Sequence, residues 1–390
     1  MRLDMMSEWK KVSVSDLGRI VTGKTPKTAI PEYYGGCIPF LTPSDDMSVK
    51  YVLSTSKTIT EDGKNSVKTA VIPKNSICVS CIGSDLGKVV ITTKETVTNQ
   101  QINSVIVNTE LYDVDFVYYA MVILGKVLNY HSKTSTAVPI VNKSTFSQYE
   151  ILCPELSEQR KIARILSEID SKIAVNSAIN ENLEQQAQAI YAQMFIESAE
   201  ESWETGSLSD ISVITMGQSP KGDTFNETGE GAVFYQGRTD FGFRFPTRRL
   251  YTTEPKRIAL CGDALMSVRA PVGDLNVAYE ECCIGRGLAA IHSKDNRQSF
   301  VLYTLFTLKK QLDVFNGEGT VFGSINKESL NSMEITIPPR ELMDRFESTV
   351  SPVDMAIRNN YEEICRLQAI RDTLLPKLMN GEIDVSAVKI

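Results

Sequence analysis

The chain has 390 residues, which is enough for two or three domains that each bury a core. Its net charge of −7 excludes nucleic-acid binding through overall positive charge, so any attraction to phosphate must come from local patches. No apolar run is long enough to span a membrane, and the residues after Met1 lack the layout of a signal peptide, so we expect a cytoplasmic protein without a membrane partner.

Near the start of the chain, the stretch GRIVTGKT at residues 18–25 matches the phosphate-binding pattern G-x-x-x-x-G-K-[ST]. Such a loop requires a helix to begin at its Gly-Lys pair. Pro26 opposes this because it pushes Thr25 out of the helical region and removes a backbone N–H. We therefore predict a turn at this position and no nucleotide site.

Eight cysteines include one C-x-x-C pair, Cys78 and Cys81. A second such pair is missing, and His131 and His292 each stand alone in the sequence. Cys78 lies in an alternating apolar run, so we predict a strand with small buried thiols and no metal site.

The sequence contains one long internal repeat. Residues 9–27 align without a gap with residues 203–221, and both segments hold a Gly-x-[Ser/Thr]-Pro-Lys turn; the second copy lacks the lysine of the apparent phosphate loop. Later segments match in the same order: 40–46 with 234–240, 75–80 with 262–267, 115–119 with 299–303, and 142–143 with 326–327. The two halves therefore share one fold and differ in polar loop residues.

Each half ends in a proline, Pro154 or Pro338, followed by a helical stretch. The segments Ser167–Asp170 and Ser351–Asp354 have the form of capping boxes, so we predict long helices at 168–197 and 352–379, packed antiparallel. Pro376 predicts a kink, and Asn380-Gly381 resembles a C-cap.

Within these helices apolar residues recur at alternating spacings of three and four, which indicates a coiled-coil seam. The apolar seam residues are Ile173, Leu183, Ile190, Met194, Ile357, Ile364, Leu367, Leu374 and Leu378. Asn176, Asn180, Asn360 and Arg371 occupy the same seam and would fix its register. The alternative is that each helix packs on its own globular domain.

Taken together, these segments make the whole chain resemble the specificity subunit of type I restriction-modification enzymes. The resemblance rests on the Gly-x-[Ser/Thr]-Pro turn near each domain start, on the helix opening at 156–166, and on the ending LLPKLMNGEI at 374–383. The opening of the second helical region, residues 340–346, departs from the pattern because it lacks the Glu-Gln pair of the first.

The resemblance implies a mixed α/β (α+β) fold with a pseudo-twofold internal repeat. Two similar globular target recognition domains, 1–154 and 203–338, would be separated by two long antiparallel coiled helices in spacer regions 155–202 and 339–390. Each domain would recognise one half of a bipartite site in double-stranded DNA. The implied partners are two methyltransferase subunits, joined in the restricting complex by motor-nuclease subunits.

Candidate DNA-binding residues are polar and basic side chains in the loops of both copies. In copy one they are Lys24, Thr25, Lys27, Thr42, Ser44, Asn99, Gln100, Gln101, Lys133, Thr136 and Lys143. In copy two they are Gln218, Ser219, Lys221, Gln236, Arg238, Arg244, Arg269, Arg286, Thr320 and Lys327. Arginine forks suit guanine edges and phosphates, whereas asparagine and glutamine amides suit adenine edges.

The sequence shows no catalytic residues and no cofactor site; the methyl-transfer signature that ends in Pro-Pro and an aromatic residue is absent. We therefore expect a non-catalytic subunit. The alternative function is a repeat-built protein-interaction scaffold without DNA specificity, although a scaffold gives no reason for the loops of the two copies to diverge. A free-standing DNA-modifying enzyme would need a cofactor site that the sequence lacks.

Overall fold

The computed structural model describes residues 9–83, 86–133, 140–316 and 323–388. The chain divides into two compact units. The first comprises residues 1–176 and 362–390, and the second comprises residues 177–361. Each long helix contributes to both units.

The first unit begins with an α+β segment. Its elements are β1 (Lys10–Ser13), β2 (Gly18–Thr22), β3 (Tyr34–Leu41), β4 (Tyr51–Val52), β5 (Lys57–Ile59), α1 (Glu61–Ser66), β6 (Val71–Ile72), β7 (Ile77–Ser80), β8 (Val89–Thr92), β9 (Thr96–Thr98), β10 (Ile102–Val107), α2 (Val114–Lys133), α3 (Lys143–Gln148), β11 (Glu150–Cys153) and α4 (Leu156–Ala192).

These strands form two principal sheets and a short ribbon. One sheet has the order β2-β10-β7-β8-β4, the other has the order β5-β3-β9-β6, and β1 pairs with β11. Alternating apolar residues place one face of β7 and β10 against α2, where Phe116 and Tyr119 are buried among Ile77, Val79 and Val105. The amphipathic helix thereby covers the sheet and closes the main core of this unit.

The second unit repeats this arrangement. Its further elements are β12 (Glu204–Ser207), α5 (Leu208–Ile211), β13 (Ser212–Met216), β14 (Phe225–Asn226), β15 (Ala232–Tyr235), β16 (Leu250–Thr252), β17 (Ile258–Ala259), β18 (Ala264–Ser267), β19 (Leu275–Val277), β20 (Cys282–Ile284), β21 (Leu288–Ser293), α6 (Gln298–Thr307), α7 (Lys309–Asp313), α8 (Lys327–Asn331), β22 (Glu334–Ile337) and α9 (Arg340–Met379).

The sheet orders of the two units correspond except for two edge strands, β4 in the first unit and β14 in the second, which have no counterpart among the described strands. In the second unit the orders are β13-β21-β18-β19, β14-β16-β15-β20-β17, and β12 with β22. The pairing of β3 with β9 is parallel, and so is the equivalent pairing of β15 with β20, whereas the other pairings of the second sheets are antiparallel. The internal repeat predicted from the sequence is therefore confirmed at the level of topology.

The long helices begin earlier than the capping-box patterns predict. Helix α4 starts at Leu156 and α9 at Arg340, in each case two residues after the proline that ends the preceding half. Ser167 and Ser351 therefore lie inside helices, and the predicted starts at 168 and 352 are wrong. At the other end of α9 the predicted C-cap is confirmed, because Gly381 has a φ of 76° and the Glu382 N–H donates to the Lys377 carbonyl.

Within each unit α4 and α9 run antiparallel and are linked by polar seam residues. In the first unit Asn176 donates to Glu363 (2.7 Å), and Arg371 donates to Asp170 (3.1 Å). In the second unit Asn180 lies fully buried, donates to the Ile357 carbonyl (3.2 Å) and accepts from Asn360 (2.9 Å). Pairing of this kind favours one register, since a shift would leave buried amides without partners.

The predicted apolar seam residues lie at buried or partly buried positions. Ile357 and Leu378 are fully buried, and the others are partly buried: Ile173, Leu183, Ile190, Met194, Ile364, Leu367 and Leu374. The α+β class with two similar domains and coiled helices is thus the observed fold, while the domain boundaries at 154, 202 and 338 stay a prediction. In the part of the chain that the structure describes, no helix is long and apolar enough to cross a lipid bilayer.

Candidate nucleic-acid interface

The apparent phosphate loop of the sequence is a strand followed by a turn. Residues 18–22 form β2, and the next two backbone N–H groups are already bonded within the fold. Gly23 donates to the Ile102 carbonyl (3.0 Å), and Lys24 donates to the Thr98 carbonyl (2.8 Å). These N–H groups cannot cradle a phosphate, and no helix begins at the Gly-Lys pair, since residues 23–27 form an irregular connection.

The same turn recurs in copy two with the same hydrogen bonds. Gly217 donates to the Leu288 carbonyl (2.9 Å), and Gln218 donates to the Ile284 carbonyl (2.9 Å). Glycine is required for this close approach, because a Cβ at Gly217 would lie 2.1 Å from the Gly285 carbonyl oxygen. At Gly23 the corresponding distance, to the Asn99 oxygen, would be 2.0 Å. The turn therefore packs its backbone directly on the strand connection behind it.

Further loops of copy one join this turn through backbone hydrogen bonds. Asn99 donates to the Leu41 carbonyl (3.1 Å), and Cys81 donates to the Gln101 carbonyl (2.8 Å). Val141 in turn donates to the Cys81 carbonyl (2.8 Å). The bonds gather the turn at 23–27, the loops after β3 and β7, the β9–β10 connection and the start of α3.

Copy two assembles the equivalent loops in the same way. Gly285 donates to the Tyr235 carbonyl (2.8 Å), Val268 donates to the Gly287 carbonyl (2.9 Å), and Ile325 donates to the Val268 carbonyl (3.1 Å). We call each set of bonded loops a loop frame. Frame one comprises residues 23–27, 41–44, 81–82, 98–102 and 141–143; frame two comprises residues 217–221, 235–238, 268–269, 284–288 and 325–327.

Most of the predicted DNA-binding residues lie in these two frames. Frame one brings together Lys24, Thr25, Lys27, Thr42, Ser44, Asn99, Gln100, Gln101 and Lys143. Frame two brings together Gln218, Ser219, Lys221, Gln236, Arg238, Arg269, Arg286 and Lys327. Four predicted residues are not in the frames. Arg244 lies elsewhere in the second unit, and the side chain of Lys133 together with Thr136 and Thr320 lies outside the described residues, as does the side chain of His131.

Side-chain contacts tie the turn of each frame to the adjacent strand connection. The Thr25 hydroxyl donates to the Gln100 side-chain oxygen (2.7 Å). In copy two the Ser219 hydroxyl oxygen accepts from the Arg286 backbone N–H (3.3 Å). Thr25 and Ser219 therefore occupy equivalent positions of the fold, although one bonds to a side-chain amide and the other to a backbone N–H.

The loop after β3 is held by a buried carboxylate. Asp45 accepts hydrogen bonds from the backbone N–H groups of Thr42 (2.8 Å) and Ser56 (2.7 Å). Burial raises the pKa of Asp45, but these hydrogen bonds outweigh it and hold the pKa below its usual value. The ionised carboxylate thus fixes the loop that carries the exposed Ser44.

The side chain of Asn99, which was predicted to contact DNA, does not point to solvent. Its side chain is buried and forms a closed pair with Gln101, in which Asn99 Nδ2 donates to Gln101 Oε1 (2.8 Å) and the Gln101 N–H donates to Asn99 Oδ1 (3.1 Å). We therefore correct the assignment of Asn99 as a DNA contact: it shapes the connection between β9 and β10, whereas the neighbouring Gln100 is exposed.

Arg244 is also corrected, because its side chain lies buried in an ion-pair cluster. It donates to Glu184 (2.7 Å), to the Tyr303 hydroxyl (3.2 Å) and to Asp354, and Tyr303 donates to Asp354 (2.9 Å). Only 5% of the Arg244 side chain is exposed. Arg244 therefore attaches the globular part of this unit to its helices, where a DNA phosphate cannot reach it.

Copy one contains an equivalent cluster that the sequence analysis missed. Lys50 lies against the Tyr119 ring, with its ammonium 3.3 Å from the hydroxyl, and Tyr119 donates to Asp170 (2.5 Å). Extending the repeat alignment from Asp46 and Asp240 pairs Lys50 with Arg244. The separate match of residues 115–119 with 299–303 pairs Tyr119 with Tyr303. The available signal was therefore a cation and a tyrosine at matching positions of both copies, although 69 residues separate them in copy one and 59 in copy two.

The remaining basic residues of the frames differ in how far they are neutralised. Arg238 forms an ion pair with Asp274. Arg269 and Arg286 are exposed, and among residues 140–316 and 323–388 neither has an acidic partner within ion-pair distance. Lys143 and Lys327 are exposed at the first position of α3 and α8, after the N-caps Asn142 and Asn326. Several cations are thus available to an anionic ligand.

The cysteines behave as buried core residues where the C-x-x-C spacing occurs. Cys78 lies in β7 and contacts the Ser104 hydroxyl (3.4 Å). Burial raises the pKa of Cys78 to about 12 and that of Cys81 to about 11, so both thiols remain protonated at neutral pH. Over the described ranges, no group of three histidine, cysteine or acidic side chains could hold a metal ion.

Comparison with known proteins identifies a family whose model matches both halves of the chain. Residues 6–185 and 200–358 match the family model described as the type I restriction modification DNA specificity domain. The MjaX type I restriction enzyme specificity subunit of Methanocaldococcus jannaschii is 31% identical over 291 residues, which cover 69% of this chain and 68% of the relative. The MjaIX specificity subunit of the same organism is 25% identical over 97% of this chain and 94% of its own length.

A solved structure shares the fold. The crystal structure of the type I restriction-modification system S subunit from M. genitalium has a TM-score of 0.56 and 19% identity, over 95% of this chain and 96% of that chain. At this identity the similarity concerns the fold alone.

Proposed function

The chain belongs to the family of type I restriction modification DNA specificity domains, and from this membership we propose that each of its two globular parts recognises one half of a bipartite site in double-stranded DNA. One observation carries the proposal. The two loop frames share their backbone hydrogen bonds and differ in the exposed side chains that they present. Two domains that bind different half-sites require this combination, since fold and sequence preference can then vary separately.

We assign the DNA contacts to the exposed polar side chains of the frames, without Asn99 and Arg244. Phosphate contacts fall to Lys24, Lys27, Lys143, Lys221, Arg269 and Lys327, and the other frame residues are available for base edges. Because the chain carries a net charge of −7, these few cations supply only local attraction, and strong binding needs partner subunits that close around the duplex.

The partners are two methyltransferase subunits, with motor-nuclease subunits added in the restricting complex. This chain has no catalytic activity of its own in that complex. The strand and turn at residues 18–27 support this statement, because the backbone groups that would bind a nucleotide phosphate are bonded within the fold. The chain directs the chemistry of its partners to a chosen sequence.

The coiled helices set the spacing between the half-sites. Helix α4 has 37 residues and α9 has 40, and the seam amides fix how they pair. Deleting one heptad from each helix should shorten the spacer by roughly 10 Å, or about three base pairs. The half-site sequences should stay unchanged, because the loop frames are not altered.

The test is to reconstitute the chain with its methyltransferase subunits and to map methylated sites by sequencing. The heptad-deleted variant should methylate the same half-sites at a shorter spacing, and exchange of residues 203–338 for a foreign recognition domain should change one half-site alone. A heptad deletion that alters half-site bases at constant spacing would contradict the model. A complex that assembles and methylates without sequence preference would indicate the scaffold function instead.

A further inference from the structure

The connection between β9 and β10 occupies the same position in frame one as the connection between β20 and β21 in frame two. Residues 98–102 correspond to residues 284–288, with each end bonded to the Gly-x-[Ser/Thr]-Pro turn. The middle residue is Gln100 in one copy and Arg286 in the other. We call this middle residue the loop tip. It is the point at which identical backbone surroundings present two different side chains.

The residues beside each loop tip are held within the connection. In copy one Asn99 and Gln101 bond to each other. In copy two both flanking residues are glycines packed on Gln236: a Cβ at Gly285 would lie 2.9 Å from the Gln236 Cα, and a Cβ at Gly287 would lie 2.7 Å from the Gln236 oxygen. In each connection the tip is therefore the residue whose side chain is exposed.

Both tip side chains are exposed and retain hydrogen-bonding capacity. Gln100 Oε1 accepts from the Thr25 hydroxyl (2.7 Å), which orients the amide and leaves its NH₂ group without a partner among the described residues. The Arg286 guanidinium has no hydrogen-bond or ion-pair partner in the described part of the chain, because only its backbone N–H is used, toward Ser219. An oriented amide and an unpaired fork are both able to bind a base edge.

The two groups prefer different bases in the major groove. A glutamine amide pairs with N6 and N7 of adenine, whereas an arginine fork pairs with O6 and N7 of guanine. We infer that the loop tips are equivalent base-reading positions, at which Gln100 selects adenine in one half-site and Arg286 selects guanine in the other. This inference rests on the proposed function and adds to it the base that each frame selects.

The experiment exchanges the two tips in the assembled methyltransferase complex. Arg286→Gln should lower the preference for guanine at one position of one half-site by roughly 5- to 150-fold and raise acceptance of adenine there. Gln100→Arg should make the opposite change in the other half-site. Methylation of a library with randomised half-sites, read by sequencing, measures both effects, and the spacing and the remaining bases should not change.

Two control variants separate base reading from charge. Arg248→Gln removes an exposed arginine that is paired with Glu280, and it should leave the methylated sequence unchanged. Arg286→Lys keeps the charge without the planar fork, so it should retain guanine with weaker discrimination.

The inference is overturned if Arg286→Gln leaves the sequence preference intact, or if it lowers methylation evenly at all sites, as loss of a phosphate contact would. Complete loss of methylation by the tip variants also contradicts it, because one base contact cannot account for so large an effect. Absence of sequence preference in the unaltered complex would instead count against the proposed function.

Discussion

Replacing Arg244 with methionine should destabilise the second unit strongly, because two carboxylates would lose their shared cation. The Arg244 side chain is 5% exposed, and its partners Glu184 and Asp354 are 15% and 22% exposed. Removing one member of a buried ion pair costs about 3–5 kcal/mol. Since Asp354 keeps the Tyr303 hydroxyl as a donor, we expect a loss of about 2–4 kcal/mol in the free energy of unfolding.

The pH dependence of this loss has a definite sign. Burial raises the pKa of Glu184, and the Arg244 charge offsets part of that rise. A carboxyl group whose pKa is higher in the folded protein than in the unfolded chain favours folding below its ordinary value of 4.5, and this contribution is lost as the pH rises through the folded pKa. Without Arg244 that pKa rises further, so the deficit of the variant should be largest near neutral pH and should shrink toward pH 4.5.

Hydrogen exchange followed segment by segment, with urea titration of the same samples, measures this effect. Protection should fall in α6 and in the part of α9 that belongs to the second unit. The control Arg248→Met breaks an exposed pair with Glu280 and should cost about 0–1 kcal/mol. An Arg244→Met variant of unchanged stability that only weakens DNA binding would refute the reasoning and restore the assignment of Arg244 to the interface.

Three further outcomes follow from the loop frames. Gly23→Ala should destabilise the first unit and weaken sequence-specific methylation, because its Cβ would meet the Asn99 oxygen at 2.0 Å; Gly222→Ala, which meets open space, is the control in a urea titration. Asp45→Asn should lose stability at neutral pH, and its difference from the unaltered chain should vanish as the pH falls through the lowered pKa of Asp45, as thermal unfolding at several pH values would reveal. Lys24→Ala should reduce DNA affinity in a salt-dependent binding assay and leave ATP hydrolysis by the restricting complex unchanged, and selective loss of ATP hydrolysis would contradict our interpretation of the GRIVTGKT segment.

The sequence was sufficient for features that depend on local patterns and repetition. The alignment of residues 9–27 with 203–221 anticipated the shared turn, and the glycine at each turn proved to be a site of close backbone approach. The alternating apolar residues around Cys78 indicated the buried strand β7. Gly381 was identified as a helix terminus because few other residues adopt its backbone conformation.

The sequence did not reveal features that depend on contacts between distant parts of the chain. Asp170 and Asp354 completed apparent capping boxes, yet each lies within a helix and accepts a hydrogen bond from a tyrosine that is far away in the sequence. Arg244 looked like the other arginines of copy two, because sequence alone does not reveal that Glu184 and Tyr303 surround it. Sequence patterns predict the local backbone conformation of a residue. The roles of Asp170, Asp354 and Arg244 depend instead on side chains that are distant in the sequence and become neighbours only in the folded chain.

The construction of the loop frames bears on how such a protein changes over generations. The hydrogen bonds that the two frames share join backbone N–H groups to backbone carbonyls, and the close contacts are made at glycines. A side-chain change at Arg286 leaves these backbone bonds in place, and one at Gln100 removes only the contact with the Thr25 hydroxyl, so folding exerts little selection against most amino acids there. Lineages can explore new side chains at these positions by single steps, and duplication of one half supplies a second copy that drifts without endangering the first.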